Sequence, residues 1–63
     1  MGKNVHRIRN QKGLTQEKLA ERAEIDRRYL QRIEAGSANP GIKVIARFPA
    51  ALNCRWSDLL KGL

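Results

Sequence analysis

The sequence predicts an all-α fold, a small bundle of five helices, and three observations carry that expectation. Apolar residues recur at spacings of three and four along the chain. Helix breakers are scarce, two prolines and five glycines in 63 residues. A single cysteine and a single histidine leave no disulfide and no zinc cluster to staple the chain. Helix packing must therefore hold a domain whose length buries only about 60% of the surface its unfolded chain exposes.

The first helix is predicted over Lys3 to Lys12, with Val5 and Ile8 on one face and Gly13 just past its end as a C-terminal cap residue. Thr15 caps a second helix, Gln16 to Ala23, whose inward residues are Leu19, Ala20 and Ala23. Lysine at position 18 makes this a simple cap and not a capping box. Glu24-Ile25 is a tight connection, because Asp26 is already the N-cap of a third helix running to Ala35 and stopping at Gly36.

The segment Ser37-Ala38-Asn39-Pro40-Gly41 reads as a loop, after which Ile42, Ile45, Phe48, Ala51 and Leu52 mark a fourth helix. Pro49 lies inside that pattern, removes a backbone donor and crowds the carbonyl of Ile45, so a kink or an early end is expected there. Asn53 suits a left-handed turn, and Trp56, Leu59 and Leu60 mark a short fifth helix. Cys54, between Leu52 and Trp56, reads as a small apolar core residue, and His6 as a surface histidine without a metal-ligand companion. Trp56, Leu60 and Leu63 fit either the core or a patch for a second copy of the chain.

Thirteen Lys and Arg against six Asp and Glu give a net charge of +7 and point to an anionic partner. The excess is spread along the chain, +4 over residues 1–36 and +3 over residues 37–63, and is not gathered opposite a broad apolar face as membrane binding would require. No apolar run approaches the roughly 18 residues of a membrane span and no signal-type apolar segment follows Met1. His6 stands where a myristoylation motif after Gly2 would need Ser or Thr. The chain reads as soluble and intracellular, one domain over residues 1–63. An enzyme would need an acid–base pair and a pocket, and one His, one Cys and scattered carboxylates supply neither; no catalytic residue, metal ligand or cofactor is expected.

The third helix opens Asp26-Arg27-Arg28, two cations in a first turn where the helix macrodipole opposes them by about 0.3–1 kcal/mol each. At 100° per residue, Leu30 and Ile33 point one way, Arg28, Gln31, Arg32 and Ala35 the other, with Arg27 on the flank. Arg is shaped for guanine O6 and N7, and Gln for adenine N6 and N7, while a small Ala lets the helix approach the groove floor. Two helices joined tightly, the second with such a face, make a helix-turn-helix unit over residues 16–35.

The segment from Gln16 to Gly36 resembles the unit of the Xre family, which includes the lambdoid phage repressors and Cro. "GLTQ", "LA" and "IEAG" stand at that family's spacings, and Leu19, Ala20, Ala23, Ile25, Leu30 and Ile33 occupy its apolar positions. The resemblance covers essentially the whole chain and implies a five-helix, lambda-repressor-like DNA-binding domain. It implies base contacts from Arg27, Arg28 and Arg32, with Gln31 as a secondary candidate and Arg27 open between base and phosphate. It assigns phosphate contacts to Gln16, Tyr29, Asn39 and Lys43, Tyr29 being equally open to a packing role beside the core. It pairs Arg9 with Glu34, as an exposed pair worth under ~1 kcal/mol or as a buried bridge that sets the angle of the first helix.

The resemblance further implies a transcriptional regulator, with repressor as the family-weighted expectation, in the cytoplasm of a bacterium or phage host and associated with the nucleoid. It would act as a homodimer on a two-fold operator, with the helix 27–35 in the major groove of double-stranded DNA. A protein-interaction module such as an antitoxin-like component is the alternative. The sequence departs from the family at Glu24, where glycine is usual, at Pro49, where ordinary helix formers stand, and at Arg55, where a serine-like cap is common. Glu24 must either accept a left-handed backbone or reshape the turn.

Overall fold

In the computed structural model, which describes residues 1–61, every regular element is helical: α1 (Gly2–Gln11), α2 (Gln16–Ala23), α3 (Arg27–Ala35), α4 (Ile42–Ile45), α5 (Phe48–Leu52) and α6 (Trp56–Leu59). The predicted bounds of α2 and α3 hold, and those of α1 shift by one residue. Leu63 lies outside the described residues.

The five-helix expectation is met with its fourth helix in two pieces. The first piece ends at Ile45, Ala46 and Arg47 form a turn, and α5 opens at Phe48 with Pro49 in its first turn. Pro49 has no N–H to give, and in a first turn none is needed, so the break falls upstream of the proline and leaves no donor missing. The break also changes the phase of the pattern. Ile42, expected on the inward face with Phe48 and Ala51, is instead 73% exposed, whereas Phe48, Ala51 and Leu52 are buried.

Four helices end the same way. Gly13, Glu24, Gly36 and Asn53 have φ of 71, 57, 80 and 52°. Each donates its N–H three residues back, and the next residue donates five back: Leu14 to Arg9, Ile25 to Ala20, Ser37 to Arg32 and Cys54 to Pro49. These are Schellman closures, which satisfy the last carbonyls of a helix by a left-handed residue. Leu14, Ile25 and Cys54, which follow three of these turns, pack against the core formed by Val5, Ile8, Leu19, Ala20, Ala23, Leu30, Ile33, Phe48, Ala51, Leu52 and Leu59. Each such turn thus stops a helix and delivers the next apolar residue to the interior. Cys54 is half-buried at the edge of the core, and burial, with the charge of Asp58 and against that of Lys12, pushes its thiol above the ordinary value.

At the N-caps, Thr15 Oγ1 accepts from the Lys18 N–H at 3.0 Å and Asp26 Oδ1 from the Arg28 N–H at 2.7 Å. Arg55 offers no such acceptor ahead of α6, and Asp58 supplies one from inside the helix, its Oδ2 taking the Arg55 N–H at 3.0 Å. Asn4 ties the two ends of the chain together, donating to the carbonyls of Leu59 and Lys61 at 2.8 Å each. Near it, α1 runs so close to the end of α3 that a Cβ on Gly2 would lie 2.0 Å from the Ile33 carbonyl oxygen. Among the described residues no helix is long and apolar enough to cross a membrane, and no cluster of His, Cys, Asp and Glu could hold a metal.

Candidate nucleic-acid interface

The turn between α2 and α3 keeps its left-handed form with glutamate in it: Glu24 has φ 57 and ψ 43°. An L side chain resists that conformation, and two features hold it there. Ile25, immediately after it, is tucked against the core, and Arg47 Nη1 reaches the carbonyls of Ala23 and Glu24, both at 3.3 Å. Arg47 went unnominated by the sequence, because a bond across more than twenty positions leaves no local pattern.

With the turn fixed, α3 buries Leu30 and Ile33 and exposes Arg27, Arg28, Gln31, Arg32 and Ala35. Among the described residues the ion pairs all converge on Glu34, so the three arginines of this face are without carboxylate partners although Glu17, Glu21, Glu24 and Asp26 lie nearby in sequence. Tyr29 is half-buried and packs against the core while part of it stays in solvent. Asn39, in the loop after α3, and Lys43, in α4, are both exposed.

The far end of α3 is clamped. Arg9 Nε donates to Glu34 Oε2 at 2.8 Å and Nη2 to Oε1 at 3.1 Å, a two-pronged pair whose side chains are 10% and 4% exposed. Arg9 Nη1 also donates to the Leu14 carbonyl at 2.7 Å, so a single guanidinium joins α1, the turn after it and α3. Of the two forms open in the sequence, the pair takes the buried one. Burial raises the Glu34 carboxyl, but hydrogen bonds from Arg9, His6 and Gln16 and the charge of Arg9 outweigh it, and the net shift is downward.

Two further groups meet Glu34 Oε1. Gln16, at the start of α2, points its Nε2 at that oxygen from 3.4 Å, a long contact that leaves the amide available to another acceptor. His6 Nδ1 lies 2.7 Å from the same atom. The sequence placed His6 on the surface, and it is exposed, but not its attachment to a carboxylate 28 positions away. His6, Gln16, Gln31, Glu34 and Ala35 line one open depression between α1, α2 and α3. The arrangement thus brings Gln16 beside Gln31 and Ala35 of the outward stripe of α3.

The model of the protein family described as Helix-turn-helix matches residues 5–59. The chain is 33% identical over 60 residues to the HTH-type transcriptional regulator y4dJ of Sinorhizobium fredii (strain NBRC 101917 / NGR234), a match spanning 95% of this chain and 78% of that protein. Among solved structures it is similar to the restriction-modification controller protein C.AhdI from Aeromonas hydrophila, at 32% identity and a TM-score of 0.89, covering 94% of this chain and 89% of that one. It is also similar to the controller protein C.Esp1396I, at 31% identity and a TM-score of 0.82, covering 95% and 90%.

Proposed function

The chain belongs to the Helix-turn-helix family, in its Xre/Cro-like branch, and from that premise we propose that it is a DNA-binding regulator of transcription that sets α3 in the major groove. One observation carries the reading: an outward face of α3 on which Arg28, Gln31 and Arg32 surround a small Ala35, all exposed and its cations without carboxylate partners among the described residues. A groove lined with phosphates makes sense of cations at a helix N-terminus, where the macrodipole alone disfavours them. A surface built to hold a protein would centre on aromatic or aliphatic anchors, which this face does not offer.

In this assignment Arg28 and Arg32 read base edges with Gln31, and Arg27 stands at the edge of the stripe between base and phosphate. Gln16, Tyr29, Asn39 and Lys43 hold the backbone. A single unit of this size covers a short site, so the regulator acts as a homodimer on a two-fold operator, and the half-exposed Trp56 and Leu60 of the C-terminal segment are the apolar surface offered to the second copy. Restriction-modification controller proteins among its structural relatives support a regulatory role, and repression is the mode we assign.

Selection from random duplex DNA tests this reading, and a palindromic product is expected. On that product Arg28→Ala is expected to cost about 1–3 kcal/mol and to relax one base position, whereas Lys43→Ala weakens all sequences alike and lowers the salt slope by about one. Equal losses on every sequence from both substitutions would remove the readout assignment.

A further inference from the structure

The exposed histidine beside the Arg9–Glu34 clamp carries an inference that deepens the proposed function and rests on it. His6 belongs to α1, outside the helix-turn-helix unit, and its side chain is 53% exposed. Its Nδ1 meets the same Glu34 oxygen that Gln16 approaches, and it shares with Gln16, Gln31 and Ala35 the depression that opens toward the outward stripe of α3. The imidazole therefore lies beside the amide assigned to a backbone phosphate.

The clamp does not need it. Arg9 alone engages both oxygens of Glu34. Because an ionised carboxylate only accepts, Nδ1 carries the proton in the contact with Glu34, and Nε2 accepts from Asn10 Nδ2 at 3.0 Å. Asn10 is an exposed side chain, and rotating its amide away frees Nε2, the ring nitrogen that Glu34 does not hold, to carry a second proton and offer it to a phosphate. The ring can thus take a second proton without moving the backbone.

The charged groups that face it are Arg9 on its own helix, which opposes a second cation, and Glu34 on α3, which favours one; Gln16 from α2 and Gln31 from α3 are neutral. The phosphate of a docked duplex adds a negative charge from the solvent side of the ring. We propose that His6 is a phosphate-contacting residue of the DNA interface, which takes up a proton from solvent as the duplex docks and donates to the phosphate group that accepts from Gln16.

The test is the salt dependence of binding to the selected duplex, followed by fluorescence anisotropy at about pH 5.5 and about pH 8, the interval in which a histidine changes charge. For the wild-type chain the slope of log K against log salt is expected to be steeper by about 0.9 at the lower pH, one additional neutralised phosphate. His6→Gln, which keeps an N–H for Glu34 and cannot become a cation, should show at both pH values the slope the wild type has at about pH 8. His6→Arg should show the steep slope at both. A wild-type slope independent of pH, or a His6→Gln slope that follows the wild type, would overturn the role of His6 and leave the proposed function standing. A chain that binds no duplex at either pH overturns both.

Discussion

Replacing Glu24 with glycine should make the protein more stable, by an amount that follows from the backbone. Glu24 stands in the left-handed region at φ 57 and ψ 43°, where an L residue is disfavoured by about 1–2 kcal/mol and glycine is not. Its carboxylate also lies at the C-terminal, negative end of α2, an exposed position worth a few tenths of a kcal/mol against it. Glycine gives back about 0.4–1 kcal/mol through the greater freedom of its unfolded chain. The net gain is about 1 kcal/mol, and in a domain of this size that raises Tm by about 4–8 °C.

Thermal unfolding followed by circular dichroism at fixed protomer concentration reads the shift, and urea unfolding with an unchanged m checks that the unfolded state is the same. Glu24→Asn should fall between the two, because Asn tolerates the left-handed region, and Glu24→Val should lower Tm, because a β-branched side chain does not. DNA affinity should be unaffected by Glu24→Gly, since the turn keeps its shape. A Tm that falls, or that does not change, at constant m would refute the claim that the turn is strained by its side chain.

Removing one partner of the clamp should be costly: Glu34→Gln leaves the nearly buried Arg9 guanidinium without a countercharge and is expected to cost about 3 kcal/mol, measured by denaturant unfolding. The same carboxylate sets an acid limit. Its folded-state pKa lies below the unfolded one, so its contribution is complete above the unfolded value and drains away as pH falls through the folded value; the wild-type chain should lose stability over that acidic interval, and Glu34→Gln should not. Gly2→Ala drives a methyl group onto the Ile33 carbonyl and is expected to cost about 1–3 kcal/mol, with a matching fall in urea midpoint. Arg47→Ala frees the carbonyls of Ala23 and Glu24 and should lower Tm, most sharply when Glu24 is retained and least in the Glu24→Gly background, a coupling that a double-mutant cycle measures.

The helices of the DNA-binding unit were legible because their ends are written locally. Thr15 and Asp26 are caps that act on the next few residues, and Gly13, Gly36 and Asn53 belong to types that accept positive φ. Glu24 carries no such mark, and the Asp26 cap after it, with the family's usual glycine at its position, placed a turn there. The segment after the loop was harder. Its apolar residues fit one continuous helix on paper, and the turn at Ala46 and Arg47 rotates Ile42 away from the face that Phe48 and Ala51 share. At the candidate interface the outward stripe of α3 followed from the 100° step alone, and the Arg9–Glu34 pair from the family resemblance. His6 and Arg47 were missed for a common reason: each acts on a residue more than twenty positions away, and neither stands in a motif that names its partner.

The clamp at one end of α3 and the braced turn at the other have a consequence for how the protein would meet its site. A helix anchored by Asp26 and Arg47 at its start and by Arg9 and the Gly2 contact at its finish has no slack with which to adjust its tilt. Little segmental freedom remains to be lost on docking, which favours affinity, and a poorly shaped site cannot be accommodated by the protein yielding. The adjustment then falls to the duplex. Base pairs that no side chain touches would matter through their stiffness, and the operators preferred by this regulator should differ from rejected ones in how readily they bend as well as in what they display.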